Sequence, residues 1–542
     1  MKSAPTHPGC LLVLLLATVA LTGCGGESRN TDQAPPPVLD RALGPEPESL
    51  DPHLTRTIQA HHVQRDLFEG LTGFSPDGEL VAAAASGWDI SADGRVYRFR
   101  LRPTARWSNG EPVTAADFVF SFRRLVDPGT AAFYAETLIA VENAPDIIAG
   151  DKAPASLGVS SPEPHVLEIR LERPVPYFLS QLGLPSAYPV HAASLETHGD
   201  AFARADNLVS NGAYRVTDWQ LGAHIDLERN PYYWNNDDTA IDRVRHHVTV
   251  QPAAELYRYR AGELDITSTI PAEAYPSLVE ERPAELRIAP QLGTYFYGLN
   301  LTRPPFAGNL PLRRALSMAI DRDVLTGKVT ARGELAAYSW VPPGTANYEP
   351  QRFPWADLPA DERRARARTL YREAGYGPDN PLEVELRYNT SESHERIAVA
   401  VQSMWRDVLG FEATLVNEEF RVLVANVRAM NVTEVFRLSW IGDYNDAHAF
   451  LTVFESDNPS NLYGYRNDDY DALMKRASVE TDTVARGRLL EEAERLLLSE
   501  HPVLPLYFHV SKHLVSPYVG GWQDNVLDFH YSQHLFLRDN NP

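Results

Sequence analysis

An apolar run near the start of the chain sets where the folded part can begin. Residues 11–21 are almost wholly apolar, and Met1 and Lys2 give the segment a basic start. The run is too short to span a bilayer, which takes about 20 apolar residues. A short basic start followed by an apolar segment of this length is typical of an export signal. We therefore expect the folded part of the protein to follow this segment and to lie outside the cytoplasm.

The apolar run ends in Leu21-Thr22-Gly23-Cys24, which resembles a bacterial lipobox. In that motif the Cys sulfur is acylated and the peptide is cut before it, so Cys24 would become the first residue of the mature protein. The alternatives are an ordinary signal peptide cut nearby and a retained membrane helix, for which the run is short. Residues 24–37 are small and polar and end in three prolines. Because such a segment buries little apolar surface, we predict a flexible tether.

The chain has only two cysteines, Cys10 and Cys24. Since the first would leave with the signal and the second would carry lipid, we expect no disulfide, no thiolate metal site and no catalytic Cys. The 542 residues are enough for several lobes with cores of their own. The formal net charge of −22 argues against nucleic acid and anionic lipid surfaces as partners.

Strand-like and helix-like patterns alternate along the chain, which predicts a mixed α/β fold with several sheets. Residues 95–101 alternate as a strand after an Asp93-Gly94 turn, and Thr114 is placed to cap a helix. Helices are predicted near 361–374, 395–409 and 484–499, the first two ending at a glycine. A strand is predicted over 503–510.

Motifs of catalytic and metal sites are absent from the sequence. It has no nucleophile elbow, no zincin motif and no phosphate-binding P-loop. The pairs His61-His62 and His246-His247 are adjacent residues that point to different sides of a strand or helix, which places them badly for one ion. We expect a protein that is not an enzyme and that has no metal site and no cofactor.

Residues 436–446 combine an apolar strand-like stretch with charged residues, which is unusual. Arg437 lies near its start, and Trp440 and Asp443 lie near its end. Charges beside a buried strand are costly unless they are paired or used on a ligand. A zwitterionic peptide needs an acid for its ammonium group and a base for its carboxylate, and these residues supply both signs. An internal Arg437–Asp443 salt bridge is the alternative.

Many short blocks along the chain occur in the order of one known family. Among them are Arg106-Trp107-Ser108-Asn109-Gly110-Glu111-Pro112, Ser210-Asn211-Gly212-Ala213-Tyr214, Tyr388-Asn389-Thr390-Ser391 and Asp443-Tyr444-Asn445. Further blocks lie at 48–53, 65–71, 174–178, 227–231, 259–265 and 519–521. The chain thereby resembles oligopeptide-binding proteins, the solute receptors of bacterial ABC peptide importers in extracellular solute-binding protein family 5.

The resemblance implies an α/β, two-lobed periplasmic-binding-protein-like fold of the large peptide-binding class, with an extra third domain. The implied divisions are a signal peptide at 1–23, a tether at 24–37, a discontinuous lobe I at 38–68, 193–292 and 509–542, an accessory domain at 69–192, and lobe II at 293–508. A peptide would be enclosed between the lobes and would pair with strands as an added strand.

The resemblance also implies roles for individual residues. Asp443 matches the acid that pairs with the peptide ammonium group. Arg437, Arg428 and His394 match groups near the carboxylate end, with Arg428 placed to within about one position. Tyr134, Trp440 and Tyr507 match residues that line the pocket. Arg56 and Thr330 depart from the family, which has an acidic residue and a Lys there.

The function implied is a monomeric, lipid-anchored receptor of the periplasm or cell envelope that passes short peptides to an ABC permease. Arg56 keeps open a specialised solute in the same fold, such as a cell-wall peptide or haem. A peptide-holding chaperone and a peptidase are alternatives of other classes. The chaperone would not need a free peptide terminus, and the peptidase lacks a recognisable nucleophile or metal motif.

Overall fold

The computed structural model describes residues 37–432, 434–442 and 444–538, in which strands and helices alternate along the chain. The strands of this part are β1 (Val38–Gly44), β2 (Thr72–Phe74), β3 (Leu80–Ala82), β4 (Ala85–Ile90), β5 (Val96–Leu101), β6 (Val159–Glu163), β7 (Val166–Arg170), β8 (Tyr214–Gln220), β9 (His224–Arg229), β10 (Arg243–Val248), β11 (Leu286–Leu299), β12 (Leu335–Ala336), β13 (Glu385–Asn389), β14 (Thr414–Glu418), β15 (Val435–Ile441), β16 (Val503–Leu514), β17 (Val519–Gly520) and β18 (Phe536–Leu537).

The α-helices vary from single turns to five turns. They are α1 (Ile58–Leu67), α2 (Ala115–Val126), α3 (Ala144–Ile148), α4 (Phe178–Gln181), α5 (Ala192–His198), α6 (Pro252–Arg260), α7 (Tyr275–Glu281), α8 (Leu310–Ala319), α9 (Arg322–Val324), α10 (Ala360–Glu373), α11 (Glu392–Leu409), α12 (Phe420–Arg428), α13 (His448–Leu451), α14 (Asp468–Ala477) and α15 (Thr483–Glu500). With the strands they confirm the mixed α/β prediction.

The strands form three larger sheets and two small ones. One sheet has the order β1-β10-β9-β8, a second β4-β5-β7-β6, and the largest β12-β16-β11-β15-β13-β14. Strands β2 and β3 pair with each other, as do β17 and β18. In the largest sheet β13 runs parallel to both β14 and β15, whereas β11 runs antiparallel to β15 and β16.

Each larger sheet belongs to a different hydrophobic core. The β4-β5-β7-β6 sheet contributes to a core of buried residues between 71 and 187, which we call the first core. The largest sheet contributes to a core between 292 and 507, the second core. The β1-β10-β9-β8 sheet contributes to a third core, which draws on residues 39–68 and 188–266 and on the C-terminal part of the chain from 515.

The long strands β11 and β16 connect the second core with the region around the third. Residues 294–298 of β11 pair with 503–508 of β16, and residues 286–290 pair with 510–514. The register shifts between Pro290 and Thr294, where the two halves of the ladder meet. Val515, directly after β16, forms a bridge with Ile266, which in turn forms a bridge with Arg41 of β1. The backbone ladder therefore continues from one region into the other.

Local sequence signals explain several element boundaries. Thr114 and Asp117 form the capping box that begins α2, with the Thr114 amide donating to Asp117 Oδ2 over 2.7 Å. Gly375 and Gly410, after α10 and α11, have positive φ angles of 94° and 80°, which a residue without Cβ adopts without strain. The helices and strands predicted from these signals are confirmed.

Helix α11 shows why such a segment packs as it does. Its buried residues Ile397, Val401, Trp405 and Val408 recur at helical spacing, so they form one stripe that faces the second core. Full burial of one such side chain contributes about 1.5–3 kcal/mol. This packing fixes the start of α11, where His394 lies.

The predicted signal peptide and Cys24 lie outside the described residues, as does nearly all of the tether. Within the described residues, none of the helices combines the length and the apolar composition that a membrane span requires.

Candidate ligand-binding site

The two faces of strand β15 carry different kinds of side chain. Phe436, Leu438 and Trp440 alternate along one face and pack in or against the second core. Because side chains alternate across a strand, Arg437, Ser439 and Ile441 share the opposite face. The sequence therefore places Arg437 on the side of the sheet that faces away from this packing.

Arg437 is buried, yet no acidic side chain among the described residues forms an ion pair with it. Its Nη1 donates to Asn389 Oδ1 and its Nη2 to Ser439 Oγ, each over 3.0 Å. The guanidinium carbon lies 4.4 Å from the centre of the Tyr295 ring, and the buried Nε lacks a hydrogen-bond partner in the described part. A buried cation whose partners are all neutral can bind an incoming carboxylate.

His394 lies in the first turn of α11 and faces the same aromatic ring. Its Nδ1 is 3.2 Å from the Tyr295 hydroxyl. Burial, together with the positive charge of Arg437, lowers the pKa of His394 to about 4. The imidazole is therefore neutral at pH 7, so the fixed charge beside it is that of the guanidinium.

Tyr507 completes the aromatic part of the site. It lies opposite Tyr295 in the β11–β16 ladder, and the two rings stack with centroids 4.5 Å apart at 15°. Three of the predicted residues, Arg437, His394 and Tyr507, are thus gathered around Tyr295. We call these four residues the Tyr295 cluster.

The structure adds residues to this region that the sequence did not single out. His509 Nε2 lies 3.3 Å from Ser439 Oγ, and burial with the nearby Arg437 lowers its pKa to about 4. Arg332 Nη2 donates to Ser393 Oγ over 2.8 Å, beside His394. No motif marks Tyr295, His509 or Arg332, because only strand pairing and the packing of α11 bring these distant positions together.

Thr330, which was expected to depart from the family, donates its hydroxyl to Glu334 Oε2 over 2.9 Å. The ammonium group of Lys512 lies 3.3 Å from the other oxygen of Glu334. Lys512 therefore has a carboxylate partner within the protein, that of Glu334, in contrast to Arg437.

A cavity of about 780 Å³ lies where segments from all three regions meet. Its lining includes Arg56, His61, Tyr134, Ile441, Gly442, Tyr444, Val526, Leu527 and Phe529. Arg56 is exposed, and its guanidinium carbon lies 4.8 Å from the centre of the Phe133 ring, another lining residue. Two predicted site residues, Arg56 and Tyr134, therefore border this cavity.

Strand β15 links the cavity with the Tyr295 cluster. Ile441, which lines the cavity, shares a strand face with Arg437 four positions earlier. At about 3.3 Å per residue the two lie roughly 13 Å apart along the strand. An extended peptide of about four residues has the same length.

The remaining predicted residues are placed differently. Trp440 donates from Nε1 to the Ala449 carbonyl over 2.8 Å and packs against the second core. It therefore stabilises β15 on the face opposite Arg437. Arg428 is exposed at the last residue of α12. Asp443 lies outside the described residues, although Gly442 and Tyr444 on either side of it line the cavity.

The adjacent histidine pair in β10 diverges, as its place on a strand predicts. His246 Nε2 lies 3.0 Å from Asp66 Oδ2, whereas His247 Nε2 lies 2.6 Å from Asp40 Oδ1. The two imidazoles thus contact different carboxylates and do not face one ion.

The family model for the middle region of bacterial extracellular solute-binding proteins, family 5, matches residues 79–461. The chain belongs to this family. Its members bind solutes and are not enzymes, in agreement with the missing catalytic motifs.

Two curated members of family 5 show how far the similarity extends. The chain is 36% identical over 543 residues to the periplasmic oligopeptide-binding protein OppA of Escherichia coli, covering 99% of this chain and 98% of the relative. It is 36% identical over 527 residues to the periplasmic murein peptide-binding protein MppA of Escherichia coli, covering 97% of each.

Solved structures of family 5 members show the fold. The unliganded open form of MppA matches with a TM-score of 0.86 at 37% identity, covering 93% of this chain and 98% of the other. Haemophilus influenzae OppA in complex with the peptide RPPGFSPFR matches with a TM-score of 0.72 at 36% identity, covering 92% and 98%. The fold is the α/β periplasmic-binding-protein fold of the large peptide-binding class with its third domain, as predicted, and the unliganded open form agrees best of these two.

Proposed function

We propose that this protein is a cell-envelope receptor that binds short peptides between two lobes and delivers them to the permease of an ABC importer. The observation that carries the proposal is the buried guanidinium of Arg437, which faces the ligand side of β15 with no carboxylate partner among the described residues. The names of the relatives support it, since OppA is called an oligopeptide-binding protein.

We place lobe I at 38–68, 193–292 and 509–542, the accessory domain at 69–192, and lobe II at 293–508. The three hydrophobic cores support these divisions, because their buried residues occupy nearly the same ranges. Strands β11 and β16, which both run between the lobes, would then contain the hinge. Closure around a peptide would bury it, and backbone pairing with strands would accept many side chains.

Terminal charges would fix the ends of the peptide. Asp443 would bind the ammonium group, and Arg437 with His394 would bind the carboxylate of peptides about four residues long. Arg428 would serve peptides of another length. Tyr134, Tyr507 and Trp440 would shape or support the walls. Since cargo must also be released, we expect a dissociation constant of about 1 μM, near −8 kcal/mol.

The test is calorimetric titration of protein that has been unfolded, freed of cargo and refolded. The ligands are a tetra-alanine peptide, its N-acetylated form and its C-terminal amide. We expect micromolar binding of the free peptide and a loss of at least about 30-fold on each modification. Equal binding of all three forms would contradict terminal capture, and binding of none across lengths of two to six residues would contradict peptide transport.

The lipid anchor at Cys24 is a separate part of the proposal, supported by the lipobox-like sequence alone. In cells that express the full chain, the protein should sediment with membranes and incorporate labelled fatty acid, and Cys24→Ser should abolish that incorporation and leave the signal peptide uncut. Thr22→Ser, which keeps the cysteine, is the matched control. Soluble behaviour of the unsubstituted protein would contradict the anchor.

A cell-wall peptide is the second candidate ligand. It is supported by the agreement with MppA, described as a murein tripeptide-binding protein, and by the exposed Arg56 at the cavity. Such peptides carry extra carboxylates, which Arg56 could bind. Tighter binding of a murein tripeptide than of tri-alanine, lost in Arg56→Gln, would favour this candidate. Equal affinities would favour general peptide uptake.

A further inference from the structure

Three side chains that could ligate a metal converge near the end of the chain. His513 belongs to β16, and Asp528 and His530 follow β17. His513 Nε2 lies 2.9 Å from Asp528 Oδ1, and His530 Nε2 lies 3.1 Å from the same oxygen. The three ligand atoms all lie within 4.8 Å of one another, and all three side chains are buried.

The hydrogen bond on the far side of His513 fixes which of its nitrogens carries a proton. Its Nδ1 lies 2.9 Å from the backbone carbonyl oxygen of Thr267. A carbonyl oxygen only accepts, so Nδ1 must donate. In neutral His513 the Nε2 atom then carries a lone pair that faces a carboxylate oxygen. Two acceptors at this distance need a cation between them, either a proton or a metal ion.

The same arrangement is the one usually found around metal-bound imidazoles. Ligating histidines commonly donate their second N–H to a backbone carbonyl, which orients the ring. The ring of Trp522 stacks on His530 with centroids 3.6 Å apart and also contacts the edge of His513, which holds both imidazoles in place. Asp528 adopts a left-handed backbone with φ of 56°, a conformation that few non-glycine residues take.

Two buried guanidinium groups, those of Arg41 and Arg65, lie near Asp528, but neither forms an ion pair with it among the described residues. The buried guanidinium of Arg41 donates to Ser532 Oγ over 2.7 Å and lies 3.8 Å from Asp66 Oδ2. Asp66 thus balances Arg41. The second oxygen of Asp528 accepts from Gln291 Nε2 over 3.2 Å.

We propose that His513, Asp528 and His530 form a site for a divalent transition-metal ion, with Zn²⁺ best suited to two imidazoles and one carboxylate. In a tetrahedral site with bonds of about 2.0–2.1 Å, ligand atoms lie roughly 3.3 Å apart, close to the two separations of 2.9 and 3.1 Å between the imidazole nitrogens and Asp528 Oδ1. Gln291 lines the large cavity and contacts Asp528, so the cavity offers an entry path and a water molecule as fourth ligand.

A metal ion bound at this site would stabilise one wall of the ligand cavity. Val526, Leu527 and Phe529, on either side of Asp528, line that cavity, and His513 belongs to the long strand that crosses between the regions. A bound metal ion would link this wall to β16, because Asp528 and His530 of the C-terminal segment and His513 of the strand would bind the same ion. This inference concerns metal binding and stands apart from the proposed peptide function.

The experiment uses the mature full-length protein, made without a polyhistidine tag and treated with a chelator. Zn²⁺ is titrated by calorimetry, and Co²⁺ by visible absorption, since tetrahedral Co²⁺ reports its coordination. The variants are His530→Gln and Asp528→Asn, with His198→Gln as the control because His198 is exposed in α5. His530→Gln keeps the strand residue His513 and its carbonyl contact, so the fold is expected to survive.

We expect one equivalent of Zn²⁺ to bind to the unsubstituted protein and to the control. Affinity should fall at least about tenfold in each site variant, since even outer partners of metal ligands contribute 10–100-fold. The tetrahedral Co²⁺ spectrum should be lost in the same variants. Absence of saturable binding, or binding that His530→Gln and Asp528→Asn leave unchanged, would overturn the proposal and identify the cluster as a protonated ion pair.

Discussion

Tyr177 stacks on Tyr444 with ring centroids 4.4 Å apart and planes 11° from parallel. Tyr177 also stacks on His448, whose Nδ1 lies 3.1 Å from the Tyr444 hydroxyl. Tyr177 lies between β7 and α4 and packs against both the first and the second core, whereas Tyr444 lines the cavity directly after Asp443. This contact therefore joins the first and second cores next to the residue proposed to bind the peptide ammonium group.

Replacing Tyr177 should weaken peptide binding indirectly, because Tyr177 stacks on Tyr444 and is not proposed to contact the peptide. Tyr177→Ala removes a stacked aromatic contact worth about 0.5–1.5 kcal/mol beyond burial, so we expect a three- to tenfold higher dissociation constant and a lower melting temperature. Tyr177→Phe keeps the stack and should preserve both. Tyr257→Ala, at an exposed tyrosine, is the control. Unchanged affinity in Tyr177→Ala would show that the contact stabilises the fold only.

Arg437 should be needed for the carboxylate end of the ligand. In Arg437→Gln, affinity for the free tetrapeptide should fall at least about 30-fold, whereas affinity for its amide should change little. Arg437→Lys keeps the charge but loses the paired donors, so an intermediate loss is expected. Calorimetry measures both, with Arg466→Gln at an exposed position as the control. Equal losses for free peptide and amide would point to damage of the strand.

Asp443 should be needed for the ammonium end. Asp443→Asn removes the negative charge at nearly constant size, so binding of the free peptide should be nearly abolished, while binding of the N-acetylated peptide should not fall further. Competition against a fluorescent peptide would measure both. Asp469→Asn, at an exposed residue of α14, is the control. Retained binding of the free peptide would leave Arg437 as the main determinant.

Ligand binding should change the protonation of His394. In the free protein its pKa is about 4, because burial and then Arg437 disfavour the charged form. A peptide carboxylate nearby would favour that form and raise the pKa. The complex should then take up protons, so affinity for the free peptide should rise as the pH falls from 7 to 5, and His394→Gln should remove this rise. NMR titration of the imidazole signals with and without peptide would measure the shift directly; an unchanged pKa would place the carboxylate elsewhere.

His501 should make the protein less stable in acid. Burial lowers its pKa to about 3, against about 6.5 when unfolded. Between these values the unfolded state binds more protons, so this contribution is complete above about pH 6.5 and is lost as the pH falls toward 3, by up to about 1.4 kcal/mol per pH unit.

Urea unfolding from pH 7 to pH 4 tests this contribution. His501 has a left-handed backbone with φ of 49°, which Asn tolerates, so His501→Asn is the suitable variant. The variant should show a shallower loss of unfolding free energy with acid, whereas His198→Gln should match the unsubstituted protein. Parallel curves for both variants would exclude His501 as a source of the pH dependence.

The local part of the site could be predicted from the sequence, because alternation along β15 and the helix start before His394 depend on neighbouring residues. The charge of Arg437 beside an apolar strand predicted a ligand contact, whereas the role of His394 came only from the family resemblance. Tyr295, His509 and Arg332 could not be, since they meet that pair only through the pairing of β11 with β15 and β16 and the packing of α11. Trp440 was predicted as a wall, but its alternation places it toward the second core.

The sequence by itself determined the α/β class, the capped ends of α2, α10 and α11, and the family, because each depends on short-range patterns or on motifs that occur in order along the chain. Tertiary structure alone decided which charges are paired. Lys512 is neutralised by Glu334 and Arg41 by Asp66, while Arg437 meets only neutral partners among the described residues. The physical reason is that an ion pair depends on distances between residues far apart in the chain, which are set only when sheets and helices pack.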